Sequence, residues 1–448
     1  MVLVQSTQTK SKDAAILVSQ YFPPFNMVAS QRAMRMAVTL LNKYEQVYVI
    51  TLPVQDLPDE FLDFEFGKEL LQESRIKVIT ASPVLNGYGF VKQKKLFHRL
   101  IGGILTRLLC GPGVDWIPSL KAVLLPIINQ CKVKLIVATG VPFIPFYTIV
   151  RIAESNNIPS ILDYRDLWSQ NPHALYPKFA RHLVRTTFEK YVNSHAAVVT
   201  TVSEGCARSL AQERNSAPVK ILPNYPDIFY KKKFAKSSPN AESSVFDRNT
   251  LNIVLTGSVY KNCTCRLLME SLKLMSQEWR GRVRLHYFGP TGKIVENDFS
   301  SQDIFHNLIN HGFVSKSKAI QVLKEADLLL SLVFDGPVSD QASIQGLMTT
   351  KVFDYFLSGK PILNIGPPNG DINILAQKIG YSEFYSFEYF QIQEVSDFLL
   401  NVLKNIDNFR NRKIQVELPD FSECFTKIIS CVDKMVKNRT LDFPQSSR

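Results

Sequence analysis

The chain has 448 residues, 45% of them hydrophobic and 21% charged, with a formal net charge of +12. This length is too great for one ordinary core and points to two or three domains, and the composition excludes a disordered or fibrous chain. The basic excess suits nucleic acid, anionic lipid or phosphorylated substrates, and it equally suits a merely solvated surface. The seven cysteines include one C-x-C pair, Cys263 and Cys265, with no second pair and no His at finger spacing. They read as free thiols of a reducing compartment, with no metal site. Residues 1–15 are polar, and no window reaches the ~18 apolar residues that span a bilayer. The expected protein is soluble or peripheral.

In chain order, Ala14–Ser19 reads as a buried strand, followed by a turn at Pro23-Pro24. A helix is expected from Ser30, which can act as N-cap, with Ala33, Met36, Ala37, Leu40 and Leu41 on one face. Further strands are predicted at 46–51, 75–80, 134–138, 160–163, 196–202 and 219–222. Helices are predicted at 117–130, 144–156, 176–193 and 204–213. Residues 231–250 open with Lys231-Lys232-Lys233 and lose periodicity, so they read as a linker between domains 1–230 and 251–420. The alternation restarts with strands at 251–256, 282–288, 312–314, 327–333 and 361–365. Helices are expected at 264–276, 315–325, 347–357, 371–379 and 391–407, and a last helix with its tail at 421–448. Two such α/β halves predict two Rossmann-like domains facing a cleft, with ligands beyond the carboxyl ends of the strands.

Four segments carry candidate chemistry. Tyr21–Arg32 is a strand-to-helix turn whose free amides and Arg32 suit a phosphate, and it also fits an ordinary capped helix. Asp163-Tyr164-Arg165-Asp166-Leu167-Trp168 puts two carboxylates and a guanidinium at the end of a strand, suited to hydroxyls or to a structural ion-pair network. His173 follows a few residues on. Thr256-Gly257-Ser258-Val259-Tyr260-Lys261 is a small turn with a lysine, which suits a diphosphate. Lys351 and Asp354 share a helix face in Lys351-Val352-Phe353-Asp354-Tyr355, before Gly359-Lys360-Pro361. There Lys351 can meet phosphate and Asp354 a ribose hydroxyl pair, or the two form a surface ion pair. Separately, 92–107 interleaves basic and large apolar residues. It suits an anionic membrane surface or a helix packed on its own domain.

The segment 349–363 resembles the signature P-x-K-[LV]-[FY]-[ED]-Y-x-x-x-G-K-P-[IV]-L of family 4 glycosyltransferases. Tyr21-Phe22-Pro23-Pro24 with Ser30-Gln31-Arg32 resembles that family's first loop. The 163–168 segment resembles its D-x-R-D-x-W, and Thr201-Val202-Ser203-Glu204 and Leu222-Pro223-Asn224 resemble the end of its first domain. The resemblance implies a GT-B fold and a nucleoside-diphosphate-sugar donor. It implies transfer with retention to a glycan or lipid-linked acceptor, with no metal or other cofactor. Donor diphosphate is then expected near Gly257, Lys261 and Lys351, ribose at Asp354, and Arg32 over the phosphates. Asp163, Asp166 and His173 are expected on the catalytic, acceptor side. The implied setting is surface polysaccharide assembly in the cytoplasm, on the inner face of the plasma membrane. The pattern departs from the family at Gly346, where an acid is usual, and in the first loop, which lacks glycines. The other readings are a nucleotide-sugar epimerase of the same fold and a catalytically degenerate sugar-nucleotide-binding protein. Dispersed basic residues and the lack of a nucleic-acid module argue against nucleic acid.

Overall fold

The computed structural model describes residues 12–84, 96–171, 176–211, 216–237, 246–259, 263–300, 304–334, 346–412 and 414–441. They form two compact units. The first holds the described residues up to Val202, Cys206–Pro223 and the helix Phe421–Leu441; the second holds Ser203–Gly205 and Asn224–Asp420.

The first unit is built on seven parallel strands, β1 (Asp13–Ser19), β2 (Gln46–Thr51), β3 (Ile76–Thr80), β4 (Lys132–Gly140), β5 (Ser160–Tyr164), β6 (Val198–Thr201) and β7 (Val219–Ile221). Their order is β3-β2-β1-β4-β5-β6-β7. The central strands are near-continuous runs of Ala, Val, Ile and Leu because helices cover both faces, as parallel sheets require. Register runs Ile16 to Tyr48 on one side and Ile16 to Ile136 on the other. The chain order reverses between β1 and β4, so their carboxyl ends diverge into opposite crossovers and leave a crevice there.

The second unit repeats the plan with six parallel strands: β8 (Leu251–Thr256), β9 (Val283–Phe288), β10 (Leu308–Asn310), β11 (Leu328–Leu332), β12 (Ile362–Ile365) and β13 (Phe384–Phe387). Their order is β10-β9-β8-β11-β12-β13, with the reversal at β8 and β11.

Several expectations shift. The first long helix is Val28–Leu41, so Met27 is the N-cap and Ser30 sits inside the first turn, fully buried. The strand expected at 312–314 lies instead at β10. Gly312 takes φ +69 and donates its amide to Asn310 Oδ1, which ends the strand in a turn. The helix expected from 347 begins at Lys351, placing that lysine in its first position. The expected 176–193 helix is present as one continuous helical run, 178–195, with a π turn at Arg185–Glu189 inside it. The first part of the expected linker is the helix Ile228–Lys236 of the second unit, while 238–245 lie outside the described residues.

Candidate functional site

In the first unit, Arg32 and Asp163 are both 0% exposed and bonded to each other. Arg32 Nε donates to Asp163 Oδ2 at 2.8 Å, and Nη2 donates to Oδ1 at 2.6 Å. Thr139 and Thr200 hydroxyls add one donor each, both at 2.7 Å. Burial pushes the Asp163 pKa up, but the Arg32 charge and the bonds from Arg32, Thr200 and Thr139 outweigh it and hold it below the usual carboxylate range. Arg32 Nη2 also donates to Leu222 O, and its guanidinium lies 5.3 Å from the Phe421 ring centre. Side chains with no surface cannot touch a phosphate or an acceptor. In this structure the pair ties β5 to the Val28–Leu41 helix.

The rest of that motif is also turned inward. Arg165 Nε donates to Gly140 O, Trp168 Nε1 donates to Leu109 O at 3.0 Å, and Ser169 Oγ donates to Glu189. Asp166 alone of the motif's charged residues is exposed. His173 lies outside the described residues.

In the second unit, the carboxyl end of β8 turns through Gly257 at φ +81, a conformation suited to glycine. Gly257 donates its amide to Phe288 O, and Tyr287 Oη donates to Gly257 O. A Cβ on Gly289 would stand 2.3 Å from Gly257 O, so the ends of β8 and β9 close up only because residue 289 has no side chain. The Lys351–Ser358 helix starts against this turn: Tyr355 Oη accepts from the Thr256 amide, and Lys351 Nζ donates to Ser258 O at 3.3 Å. A Cβ on Gly257 would be 3.8 Å from Lys351 Nζ. Gly257 and Lys351, expected together from the sequence, are brought together. Lys261 lies outside the described residues.

Lys351 is a cation placed at the positive end of a helix, where an anion is favoured. Burial pushes its pKa down to about 8, and the nearby thiols of Cys263 and Cys265 only partly oppose this. Among the described residues it forms no salt bridge with a carboxylate. One turn on, Asp354 accepts from Tyr230 Oη at 2.7 Å and from Lys316 Nζ at 2.5 Å. Lys316 Nζ also lies 5.3 Å from the Tyr230 ring centre. Sequence reasoning missed Tyr230 and Lys316. Lys316 follows the helix-capping Ser315, which was a readable signal; Tyr230 carries none, being 124 residues from Asp354.

No protein-family model matches the chain, and no curated protein matches it in sequence. Solved structures do match. One is HepE of Anabaena in complex with UDP, with a TM-score of 0.57 and 13% identity over 96% of this chain and 99% of that one. A glycosyltransferase from Rickettsia africae gives 0.59 and 13% over 95% and 99%. The UDP-GlcNAc 2-epimerase of Methanocaldococcus jannaschii gives 0.51 and 11% over 93% and 99%. At such identities the shared property is the fold. The chain has the two parallel-sheet α/β domains of the GT-B glycosyltransferase architecture.

Proposed function

We propose that the protein is a glycosyltransferase. It takes a sugar from a nucleoside-diphosphate-sugar and transfers it, with retention, to a glycan or lipid-linked acceptor of a surface polysaccharide. The observation that carries this reading is Lys351, a half-buried cation without a carboxylate partner among the described residues, held at a helix start against the Gly257 turn. This sets a cation at the strand ends where α/β sheets take their ligands, an arrangement that suits an anion. The GT-B architecture and the UDP in the HepE structure support a nucleoside diphosphate as that anion.

In this reading Lys351 and the Gly257 turn meet the diphosphate, with Lys261 as a further cation. Asp354, steadied by Tyr230 and Lys316, takes the ribose. In the first unit Asp166 and His173 are the acceptor-side candidates, and Arg32 and Asp163 support the motif from inside. The bond from the sugar's anomeric carbon to the diphosphate breaks as the bond to the acceptor oxygen forms. The acceptor proton passes to the departing phosphate, and Lys351 stabilises the charge that develops there. The diphosphate thus serves as leaving group and base, so no further cofactor enters. Two other readings have a footing: the match to an epimerase allows isomerisation of the donor, and Gly346 in place of an acid allows binding without chemistry.

A thermal-shift screen of UDP-, GDP-, dTDP- and ADP-sugars tests the site. One donor is expected to raise the melting temperature of the wild type but not of Lys351→Met, because a ligand stabilises only the state that binds it. Affinity is expected to fall as pH rises through about 8, where free Lys351 loses its proton. Below that pH the cation is present, and bound diphosphate then raises its pKa. An equal response from Lys351→Met would remove the proposed site. A new glycoside among the products distinguishes transfer from isomerisation, and no product at all leaves the binding protein.

A further inference from the structure

The second unit carries a charged face that the sugar-transfer chemistry does not use. The helix Ile228–Lys236 packs inward through three side chains. Tyr230 Oη donates to Asp354 Oδ1, Lys231 Nζ donates to Leu418 O, and Phe234 is buried. The carboxyl end of the helix is held by Lys324, whose Nζ donates to Phe234 O and, at 2.6 Å, to Ser237 O. The last carbonyls, at the negative end of the helix, thus meet a cation that fixes the helix in place.

With that side turned in, Phe229, Lys232, Lys233 and Lys236 face out. Their three- and four-residue spacing puts them on one helix face. Phe229 is 73% exposed, and the three lysines beyond it are exposed too. Together with Ser237 they line an open hollow of about 490 Å³. Among the described residues the ammonium groups of Lys232, Lys233 and Lys236 have no ion-pair or hydrogen-bond partner. Residues 228–241 contain no Asp or Glu. The acids next in sequence to the helix and to Lys324 are engaged: Asp227 Oδ1 accepts from the Tyr230 amide as N-cap, and Glu325 Oε1 accepts from Gln321 Nε2. Glu242, the first acid after the helix, lies outside the described residues.

Charge and shape select the occupant. A row of unpaired ammonium groups calls for repeated negative charge. Lysine stems adapt to charges spaced along a flexible chain, where a guanidinium would demand a planar partner. The ring at the head of the row offers one apolar surface, on which the C–H face of a sugar can pack. A bilayer would need a broad apolar face to enter the acyl boundary, and a single-stranded nucleic acid would need a ring for each of several bases. Here Phe229 is the one ring of the row, and Ile228 is the only other large exposed apolar side chain of the helix.

We propose that the outer face of the helix Ile228–Lys236 binds an acidic glycan, one whose sugars bear carboxylates or phosphates. The proposal rests on the sugar-transfer reading and names the class of its acceptor: the lysines hold the body of an acidic chain and leave its reacting end free. The segment 92–107, expected to suit an anionic membrane, belongs to the first unit and is a separate surface. Of that segment, 92–95 lie outside the described residues.

Calorimetric titration of the full chain with an oligogalacturonate and with a phosphorylated dextran, against unmodified dextran, tests this without donor or catalysis. At low salt, binding is expected to at least one of the two acidic glycans and not to dextran. Lys232→Gln with Lys233→Gln and Lys236→Gln is expected to weaken it about tenfold and to make it less salt-sensitive. Phe229→Ala is expected to weaken it about threefold at every salt concentration, because the ring carries no charge to screen. Both variants should keep the wild-type melting temperature, since all four side chains are exposed. The proposal fails if neither acidic glycan binds, or if the lysine variant binds them as well as the wild type does. It also fails if oligothymidylate or phosphatidylglycerol vesicles bind at these lysines more tightly than either glycan, which would give the face to a nucleic acid or a membrane. Failure here beside a donor response at Lys351 overturns this proposal alone. Acidic-glycan binding with no donor response overturns the sugar-transfer reading and leaves the glycan face standing.

Discussion

Asp163 accepts from four donors, two on Arg32 and one each on Thr139 and Thr200, which uses the acceptor capacity of a carboxylate. Replacing it with Asn removes the charge that compensates buried Arg32 and turns an NH2 toward at least one of those donors. Breaking a buried pair by removing one partner costs about 3–5 kcal/mol, so Asp163→Asn is expected to destabilise the first unit by about 3 kcal/mol or more. Urea unfolding read through Trp116 and Trp168 of that unit measures this; wild-type stability combined with lost activity would restore a catalytic role to Asp163. The sign with pH agrees. Because its folded pKa is depressed, the carboxylate's stabilisation is full above the unfolded value of about 3.9 and fades as pH falls through the folded pKa. Arg32 and Asp163 were legible in the sequence as important residues but not as a pair. They are 131 positions apart, and burial decides between ligand and tie. The Lys351 helix was readable locally, but its meeting with the β8 turn, 93 positions away at Ser258, was expected only from the resemblance.

Elements with strong periodicity were legible nearly to the residue: β2 and β8 occupy the expected spans, and the helix Ile117–Gln130 does too. Elements set by long-range pairing were not. β13, Phe-Tyr-Ser-Phe, is an edge strand whose alternation is too short to read, and it exists through its ladder with β12. β9 holds a feature no pattern announced. His286, 1% exposed, stands with Nε2 3.1 Å from Asn252 Oδ1 and Nδ1 3.0 Å from His311 Nε2. The Asn252 amide nitrogen already donates to Asp247 O, Thr250 O and Asp327 Oδ2, so its oxygen is the acceptor. His286 then carries its proton on Nε2 and accepts at Nδ1, which is the neutral ring. Burial, with His311 and Arg284 adding to it, pushes its pKa down to about 4, and Asp327 opposes this only weakly. An unfolded His binds its proton near 6.5, so between about 6.5 and 4 the unfolded chain holds more protons and stability falls as pH falls. The second unit is expected to lose about 3 kcal/mol over that range. His286→Gln should flatten the response. Denaturation followed through Trp279 at pH 7, 5.5 and 4.5 checks it, and an unchanged slope in the variant would mean another group titrates.

At the scale of the whole chain, the two units differ in how they are threaded. The second is almost one continuous stretch, Asn224–Asp420, with its own sheet, core and the full Gly257–Lys351–Asp354 arrangement. The first is closed by a segment from the far end of the chain. Phe421 and Phe425 of the terminal helix are fully buried, that helix packs on Val28–Leu41, and the Arg32 and Arg35 guanidinium groups lie 5.3 and 5.9 Å from the Phe421 ring centre. Each buried Phe removes on the order of 150–200 Å² from water, so losing the helix uncovers a large part of one core face. It also opens the pocket around the buried Arg32. A chain stopped at 420 is therefore expected to keep a cooperative transition at Trp279 and to lose or sharply weaken the one at Trp116 and Trp168. The fragment 224–420 alone should fold and retain whatever nucleotide response the full chain shows, as its binding groups and core are all its own. Adding a 421–441 peptide in trans should partly restore the first transition of the shortened chain. If both transitions disappear together on truncation, the units do not fold independently. If neither changes, the terminal helix is dispensable and the core of the first unit is complete without it.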